Sequence, residues 1–339
     1  MLSNMLSKQV NKQLLKAITA DNLSQFKSLS QSLPSLNSSV NDKSGDNSLH
    51  LCAIFNSILI MDYLLSDECV QQIDVNLKNK EDKSALHLSA QYKHRMCVEM
   101  LLKNKRTVVD VLNRSDWTPL MLALTKHNNL DVVQLLITSG ADVCLRNKDG
   151  WNGFHIATRT GDLTQMQYLL ATDPSVCQTR SKTNRTPLHA AVLTGNQQVI
   201  AFLLDNCHFD GNEADSCGIT PYMEAIKCDN LDICRLLQQK CDINPHLTDS
   251  LGRNCLHLSC ECNAINAIKY LINEFHFDVN CVTIGSNLTP LHLAVKEGHN
   301  ETIELLKEFG ADLHIRDYKE RTPIDLAVGL KREDCLSIL

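Results

Sequence analysis

Apolar residues recur along this chain in short runs at helical spacing, and the runs come in pairs. A mostly apolar run at residues 291–295 opens one pair, and a second run with apolar residues on one helical face lies within residues 302–306. Gly298 separates the two runs, and Gly310 follows the second. This pattern predicts two short helices joined by a tight turn, each with one buried face.

The helical pair is one copy of a unit that recurs along most of the chain. Its clearest mark is a Thr-Pro-Leu-His element, complete at residues 186–189 and 289–292. The element, intact or altered, begins at Ser48, Ser84, Thr118, Asn152, Thr186, Thr220, Asn254, Thr289 and Thr322. Successive copies lie 33 to 36 residues apart. Such a constant step predicts an array of repeats that bury their apolar faces against one another.

The residue types of this element suit the start of a helix. A Thr, Ser or Asn side chain at the N-cap accepts a hydrogen bond from a free backbone N–H. Proline favours the next position, because its missing N–H costs nothing in the first helical turn. Five of the eight prolines lie there: Pro119, Pro187, Pro221, Pro290 and Pro323. We therefore expect each first helix to begin directly after the first residue of its element.

These repeats resemble the ankyrin-repeat family, and the resemblance covers roughly residue 40 to the end. It implies an all-α ankyrin-repeat solenoid of about nine repeats, each with a helix-turn-helix and a turn at its tip. Residues 12–18 and 23–29 predict a polar-faced helical cap ahead of the repeats, and the Ser- and Asn-rich residues 30–47 predict a loop. We thus expect an N-terminal cap and loop over residues 1–40 and a single continuous solenoid over residues 41–339.

Composition and charge narrow the functional classes. No run of about 18 apolar residues occurs, so we expect no membrane span. A net charge of −6 argues against general nucleic-acid binding, although residues 103–185 carry 11 Lys and Arg against 7 Asp and no Glu. Fifteen cysteines without a recognisable secretory signal indicate a reducing compartment, which we expect to be the cytoplasm and nucleus. Motifs of common enzymes are absent from the sequence, so neither catalysis nor a cofactor is expected.

Histidine and cysteine are frequent enough to require an explanation. The regular recurrence of six histidines favours structural hydrogen bonds over metal binding: His50, His87, His155, His189, His257 and His292. Cysteines are dense in the sixth and seventh repeats: Cys217, Cys228, Cys234, Cys241, Cys255, Cys260, Cys262 and Cys281. Because their spacing does not match a zinc site, we expect buried thiols rather than metal ligands.

The candidate binding surface lies at the tips of the central repeats. The only two tryptophans, Trp117 and Trp151, lie 34 residues apart, each directly before the first residue of an element. Exposed aromatic residues are frequent interface anchors, although each indole could instead pack along a neighbouring tip. Basic residues cluster around them. The predicted partner-binding residues are Arg114, Trp117, Arg146, Lys148, Asp149, Trp151, Lys182 and Arg185.

The tip segments carry a narrower resemblance, within the ankyrin-repeat family, to ankyrin cofactors of alanyl-tRNA synthetase. It rests on SDWTPLM at residues 115–121, NKDGWN at residues 147–152 and DSLG at residues 249–252. The resemblance implies binding to the synthetase and capture of misactivated serine on lysine amines. Lys148 matches one acceptor lysine, whereas the positions of two others hold Arg114 and Gln178. Lys148 and the nearby Lys182 are therefore the acceptor candidates.

A second hypothesis remains open on the same residues. A generic ankyrin adaptor would use an equivalent surface to recruit substrates to a ubiquitin ligase or to hold a signalling protein. The two hypotheses share the fold and the binding tips, and they differ in the identity of the partner.

Overall fold

The computed structural model describes residues 2–69 and 71–339, with side chains from Gln9 onward except at position 70. It contains two compact units, Met1–Thr179 and Arg180–Leu339, here called unit 1 and unit 2. The architecture is all-α and consists of paired short helices, as the sequence predicted. The single continuous solenoid over residues 41–339 stays a prediction.

Unit 1 alternates first and second helices of each repeat after a helical cap. Its helices are α1 (Leu2–Thr19), α2 (Leu23–Ser30), α3 (Ser48–Phe55), α4 (Ile58–Leu65), α5 (Ala85–Gln91), α6 (Arg95–Lys103), α7 (Pro119–Leu124), α8 (Leu130–Thr138), α9 (Gly153–Thr160) and α10 (Leu163–Thr172), followed by a 3-10 helix (Pro174–Gln178). The first helices α3, α5, α7 and α9 pack in sequence, and the second helices α4, α6, α8 and α10 form the layer beside them.

Unit 2 repeats the same arrangement. Its helices are α11 (Pro187–Thr194), α12 (Gln197–Cys207), α13 (Pro221–Lys227), α14 (Leu231–Lys240), α15 (Cys255–Glu261), α16 (Ile265–Phe275), α17 (Pro290–Glu297), α18 (Asn300–Glu308), α19 (Pro323–Gly329) and α20 (Glu333–Ile338). Each first helix, from α11 to α19, contacts the next first helix along the chain. In the part of the chain that the structure describes, no helix combines the length and apolar character needed to cross a bilayer.

The predicted N-caps are confirmed in eight of the nine repeats. The N-cap residues are Ser84, Thr118, Asn152, Thr186, Thr220, Asn254, Thr289 and Thr322. In the first repeat the prediction of Ser48 was wrong by one residue, because Asn47 is the cap and Ser48 is the first helical residue. The Asn47 side chain accepts the His50 N–H at 2.9 Å, whereas the Ser48 side chain is buried in α3.

The cap and loop also differ in part from the sequence prediction. Both cap helices are present, and α1, which packs against α2 and α3, buries Leu14 and Ile18. The predicted loop contains a short antiparallel hairpin, formed by β1 (Ser39–Asn41) and β2 (Asp46–Asn47). Gly45 at φ +75° donates its N–H to the Asn41 carbonyl at 2.8 Å and closes the turn. Strands this short carry no alternation of apolar residues, so the sequence pattern could not reveal them.

Candidate partner-binding tips

Each of the two tips that carry a tryptophan is built on an asparagine. Asn113 and Asn147 donate their backbone N–H to the carbonyls of Trp117 and Trp151, at 3.0 and 2.9 Å. The Asn147 Oδ1 also accepts the N–H of Asp149 and of Trp151, both at 2.9 Å. An asparagine side chain that closes a turn in this way holds the following residues in one conformation. The two tips therefore present their side chains at equivalent positions.

Three cationic side chains occupy the same register in successive tips of unit 1, and each reaches back to the tip before it. Lys80 Nζ donates to the Asp42 carbonyl, Arg114 Nη2 to the Lys80 carbonyl, and Lys148 Nζ to the Arg114 carbonyl, each at 2.5 Å. All three residues are exposed. We call Lys80, Arg114 and Lys148 the cationic ladder. Sequence analysis did not include Lys80 among the candidate residues, although it lies one repeat, 34 residues, before Arg114.

Several acidic residues near the ladder are at least partly exposed. Arg114 Nε lies 3.5 Å from Asp82 Oδ2, with side chains 69% and 46% exposed, so this pair adds little stability. Asp149 and Arg146 are both exposed at the next tip. The surface therefore carries both positive and negative side chains, and hydrogen bonds hold the three cations of the ladder at equivalent positions of successive tips.

The two tryptophans are half-buried. The Trp151 ring stacks on His155, with centroids 5.8 Å apart and planes 26° apart, and the Arg159 guanidinium lies 5.8 Å from its centroid. The indole therefore packs on the first helix of its own repeat. Trp117 occupies the equivalent position in the preceding tip, where its carbonyl accepts a hydrogen bond from His87 Nε2 at 2.9 Å. Both residues keep an exposed part that a partner could cover.

The two candidate residues of unit 2 have different surroundings. Lys182 is exposed, at the position equivalent to Lys148. Arg185 is bound within its own unit, because its Nε lies 3.0 Å from Asp215 Oδ2 and its Nη2 lies 3.5 Å from Glu224 Oε2. Burial opposes ionisation of Asp215, but the Arg185 hydrogen bond and two backbone N–H groups hold its pKa below the ordinary value. Arg185 therefore has a clear structural role in unit 2.

The six histidines take part in the hydrogen bonding of the repeats, as the sequence predicted. In each first helix the ring faces the N-cap residue, and all six side chains are buried. His87 Nδ1 accepts the Ser84 N–H at 3.1 Å, while Nε2 donates to the Trp117 carbonyl. This pattern requires the neutral ring. Burial accordingly lowers the pKa of His87 to about 4, and that of His257 to about 4.

The prediction of buried thiols in the sixth and seventh repeats was correct only in part. Cys234, Cys255 and Cys260 are buried, and burial raises the pKa of each thiol. Cys241 and Cys281 are half-buried, whereas Cys217, Cys228 and Cys262 are exposed. Cys217 lies in a tip, and Cys228 and Cys262 lie at the ends of first helices, where side chains are not enclosed by the repeat core. Across residues 2–69 and 71–339, no three His, Cys, Asp or Glu side chains are grouped to hold a metal ion.

Comparison with known proteins is consistent with these repeats. The family model described as ankyrin repeats (3 copies) matches residues 49–147, 120–215, 207–283 and 274–339. Human Rabankyrin-5 is 41% identical over 51 residues, which are 15% of this chain and 4% of that protein. The tyrosine-protein kinase HTK16 of Hydra vulgaris is 33% identical over 86 residues, 25% of this chain and 11% of the kinase.

A fowlpox virus ankyrin repeat protein, FPV216, is 38% identical over 74 residues, 22% of this chain and 25% of the viral protein. This chain thus spans a quarter or less of the length of the curated relatives named here. The similarity is confined to repeat segments and carries no partner or activity from one protein to another.

Proposed function

Because this chain belongs to the ankyrin-repeat family, whose repeats are protein-binding scaffolds, we propose that its cationic tips bind alanyl-tRNA synthetase. The proposed contact is with the catalytic domain of the synthetase, and its effect is to reduce charging of serine in place of alanine. Binding takes place in the cytoplasm and nucleus, and it involves neither direct nucleic-acid contact nor a cofactor.

The cationic ladder is the observation that supports this proposal most. Lys148 lies within a tip segment that resembles ankyrin repeat domain-containing protein 16, the ankyrin cofactor of this synthetase, and Arg114 directly precedes another such segment. Both side chains are exposed and held in register by hydrogen bonds. Trp117 and Trp151 place half-buried aromatic surface beside the same tips, and such residues are frequent binding anchors.

The chemistry proposed for Lys148 is a single acyl transfer. The synthetase makes seryl-adenylate from serine and ATP, with release of pyrophosphate. The neutral Nζ of Lys148 attacks the seryl carbonyl carbon, a C–N bond forms, and the C–O bond to the phosphate breaks, so AMP leaves. The amine gives up one proton to water. Since the product is an amide, each lysine captures one serine without turnover.

The acceptor role is limited to amines. Arg114 keeps its positive charge and cannot serve as a nucleophilic amine at neutral pH. Its part in the proposal is to hold Lys148, whose Nζ donates to the Arg114 carbonyl at 2.5 Å. Lys182 is the second proposed acceptor, because it is exposed at the equivalent tip position of unit 2.

Mass spectrometry tests the partner and the chemistry together. The full chain is incubated with alanyl-tRNA synthetase, serine and ATP, and its peptides are searched for one added seryl group. The expected adduct is on Lys148, with Lys182 judged in the same spectrum. The variant Lys148→Arg keeps the charge, removes the amine and is expected to lose the adduct while it retains binding.

The same spectrum contains its own controls. Lys80 lies in the ladder without the matching segment, and Lys103 is an exposed lysine of α6. Equal labelling of Lys80, Lys103 and Lys148 would indicate unspecific acylation by released adenylate. A stable complex without any adduct would leave a binding cofactor, and the absence of both would refute the synthetase proposal.

The second candidate function is a generic ankyrin adaptor for another protein, such as a ubiquitin-ligase substrate or a signalling protein. It is favoured by the hydrogen bond of Lys148 Nζ, because an amine held on a carbonyl suits a contact surface better than a nucleophile. Under this hypothesis Trp117→Ala and Trp151→Ala weaken partner binding, while the synthetase neither binds nor acylates the chain.

A further inference from the structure

A groove lies in unit 2 between two neighbouring tips, far along the chain from the cationic ladder. One wall is the tip after Asp249, whose N–H donates to the Arg253 carbonyl four residues later. The other wall is the tip after Thr283, whose N–H donates to the Leu288 carbonyl five residues later. The second tip thus contains one extra residue, which explains why Asn254 and Thr289 are 35 residues apart. The longer tip shapes one side of the groove.

The groove is apolar where it opens to solvent. Its volume is about 380 Å³, and its walls include Leu251, Ile284, Leu288 and Leu293. Leu251 is 61% exposed and Ile284 is 74% exposed, more than the other large apolar side chains in the described residues. Exposed aliphatic side chains facing one cleft are typical of a binding surface, whereas scattered ones need no explanation. The Leu251 and Ile284 side chains therefore form an apolar surface on which an apolar group could pack.

Arg253, Glu261 and Lys296 are the charged residues that line the groove, and together with their ion-pair partners Asp249 and Glu297 they carry one net negative charge. Arg253 Nη2 lies 2.7 Å from Asp249 Oδ2, and Arg253 Nη1 lies 2.6 Å from Glu261 Oε2, so this trio carries one net negative charge. Lys296 lies 3.0 Å from Glu297, and that pair is neutral. Unit 2 as a whole carries 15 Lys and Arg against 22 Asp and Glu. Such a field attracts basic segments over distances of about a Debye length.

We propose that this groove binds a segment of a protein partner in which an aliphatic residue is followed by arginine or lysine. The aliphatic side chain lies between Leu251 and Ile284. The cation lies over the carboxylate of Glu261, which lines the groove, and beside that of Glu297, which follows the lining residue Lys296; both carboxylates are partly exposed. The groove involves no residue of the cationic ladder, so this proposal is independent of the synthetase proposal.

Peptide titration tests both parts of the proposed recognition. Three nine-residue peptides with blocked ends are identical except at two central residues, which are Leu-Arg, Leu-Glu or Ala-Arg. Binding to the full chain is followed by fluorescence polarisation, and methyl NMR of Ile284 reports on the site. We expect Leu-Arg to bind at least fivefold more tightly than each of the other two and to shift the Ile284 methyl signals.

Two variants locate the effect. Ile284→Ser is expected to weaken Leu-Arg binding at least fivefold, whereas the matched control Val328→Ser, which alters an aliphatic residue 59% exposed elsewhere in unit 2, leaves it unchanged. Glu297→Gln is expected to reduce the preference for Leu-Arg over Leu-Glu. Tighter binding of Leu-Glu, equal loss in both serine variants, or no binding of any peptide would overturn the proposal.

Discussion

At the scale of single residues, small departures from the repeat pattern decide local stability. Asn76, Asn212 and Asn280 each join their tip to the next repeat with two hydrogen bonds, one accepted by Oδ1 and one donated by Nδ2. At the equivalent position Asp110 accepts the Asp142 N–H at 3.0 Å. Its other oxygen, Oδ1, is buried and has no hydrogen-bond partner within the described residues. By the register of the other three, this oxygen faces the Gly140 carbonyl.

Asp110→Asn is therefore expected to stabilise unit 1. The new Nδ2 group would donate where a carboxylate oxygen now faces an acceptor, and one such bond contributes about 1 kcal/mol to the free energy of unfolding. Urea denaturation followed by circular dichroism measures the change. The reciprocal change Asn76→Asp removes a 2.7 Å donation to the Arg106 carbonyl and is expected to destabilise by a similar amount. A lower urea midpoint for Asp110→Asn would contradict this explanation.

The gain from Asp110→Asn should also depend on pH. Burial, with a further contribution from Asp142, raises the pKa of Asp110, so the folded state holds its proton more tightly than the unfolded state does. The contribution of Asp110 to stability is then lost as pH rises from about 4 through the raised pKa. We expect the difference between the variant and the natural chain to be larger at pH 7 than at pH 4. Equal differences at both values would contradict this assignment.

Single residues also mark the limit of sequence-based site prediction. The sequence placed Arg185 among the partner-binding residues because it is a basic residue in the tips around the two tryptophans. In the structure its guanidinium bonds Asp215 and Glu224, which are 30 and 39 residues away along the chain. Trp151 likewise packs on His155 and Arg159. The spacing of residues along the chain does not predict which neighbouring residue a long side chain will contact.

At the scale of elements, the tips are tied to one another through backbone contacts as well as side chains. In unit 2 the N–H groups of Ser216 and Ser250 donate to the carbonyls of Thr183 and Cys217, both at 2.9 Å. Gly218, at φ +79°, lies so near the next tip that an added Cβ would be 2.6 Å from the Ser250 nitrogen. Close packing of adjacent tips therefore requires glycine here, in addition to the backbone angle.

Comparison of two glycine variants separates the contact from the backbone strain. Gly310 has φ +86°, and an added Cβ there would meet nothing within 4 Å. Both Gly218→Ala and Gly310→Ala incur the left-handed strain of roughly 1 kcal/mol. Only Gly218→Ala must also displace the neighbouring tip, so we expect its urea midpoint to fall further. Similar losses in the two variants would mean that the tip contact contributes no stability.

At the scale of the whole molecule, buried histidines link stability to pH in both units. Burial lowers the pKa of five of them: His50, His87, His189, His257 and His292. Because each folded pKa lies below the ordinary value of about 6.5, the unfolded chain binds protons that the folded chain rejects. The stability that these neutral rings contribute is present above that value. It is lost as pH falls from about 6.5 toward about 4.

Acid sensitivity should therefore appear before the carboxylates titrate. A shift from 6.5 to about 4, as for His87, corresponds to roughly 3 kcal/mol when complete. We expect the urea midpoint to fall steeply between pH 6.5 and pH 4.5. His87→Gln should lower stability at pH 7 by about 1 to 2 kcal/mol, through loss of the bond to the Trp117 carbonyl, and should flatten the pH dependence. A midpoint that is constant over this range would refute the linkage.

The sequence by itself determined the repeat, the family and the start of nearly every first helix. These features depend on interactions within about four residues, such as an N-cap with its free N–H, and on a period that any stacked unit must repeat. Where a cap was misplaced, at Ser48, two polar residues in succession could both serve locally. The folded structure shows that Asn47, and not Ser48, is the N-cap of α3.

The tertiary structure alone decided how the side chains of the tips are arranged. The 2.5 Å bonds that join Lys80, Arg114 and Lys148 link residues 34 positions apart. The groove beside Ile284 lies between two tips, one of which is one residue longer than the other. Such arrangements depend on which surfaces the stack brings together, and side-chain conformations on those surfaces are set by packing rather than by local propensity. For that reason the sequence indicated where to look for a site, while its geometry came from the fold.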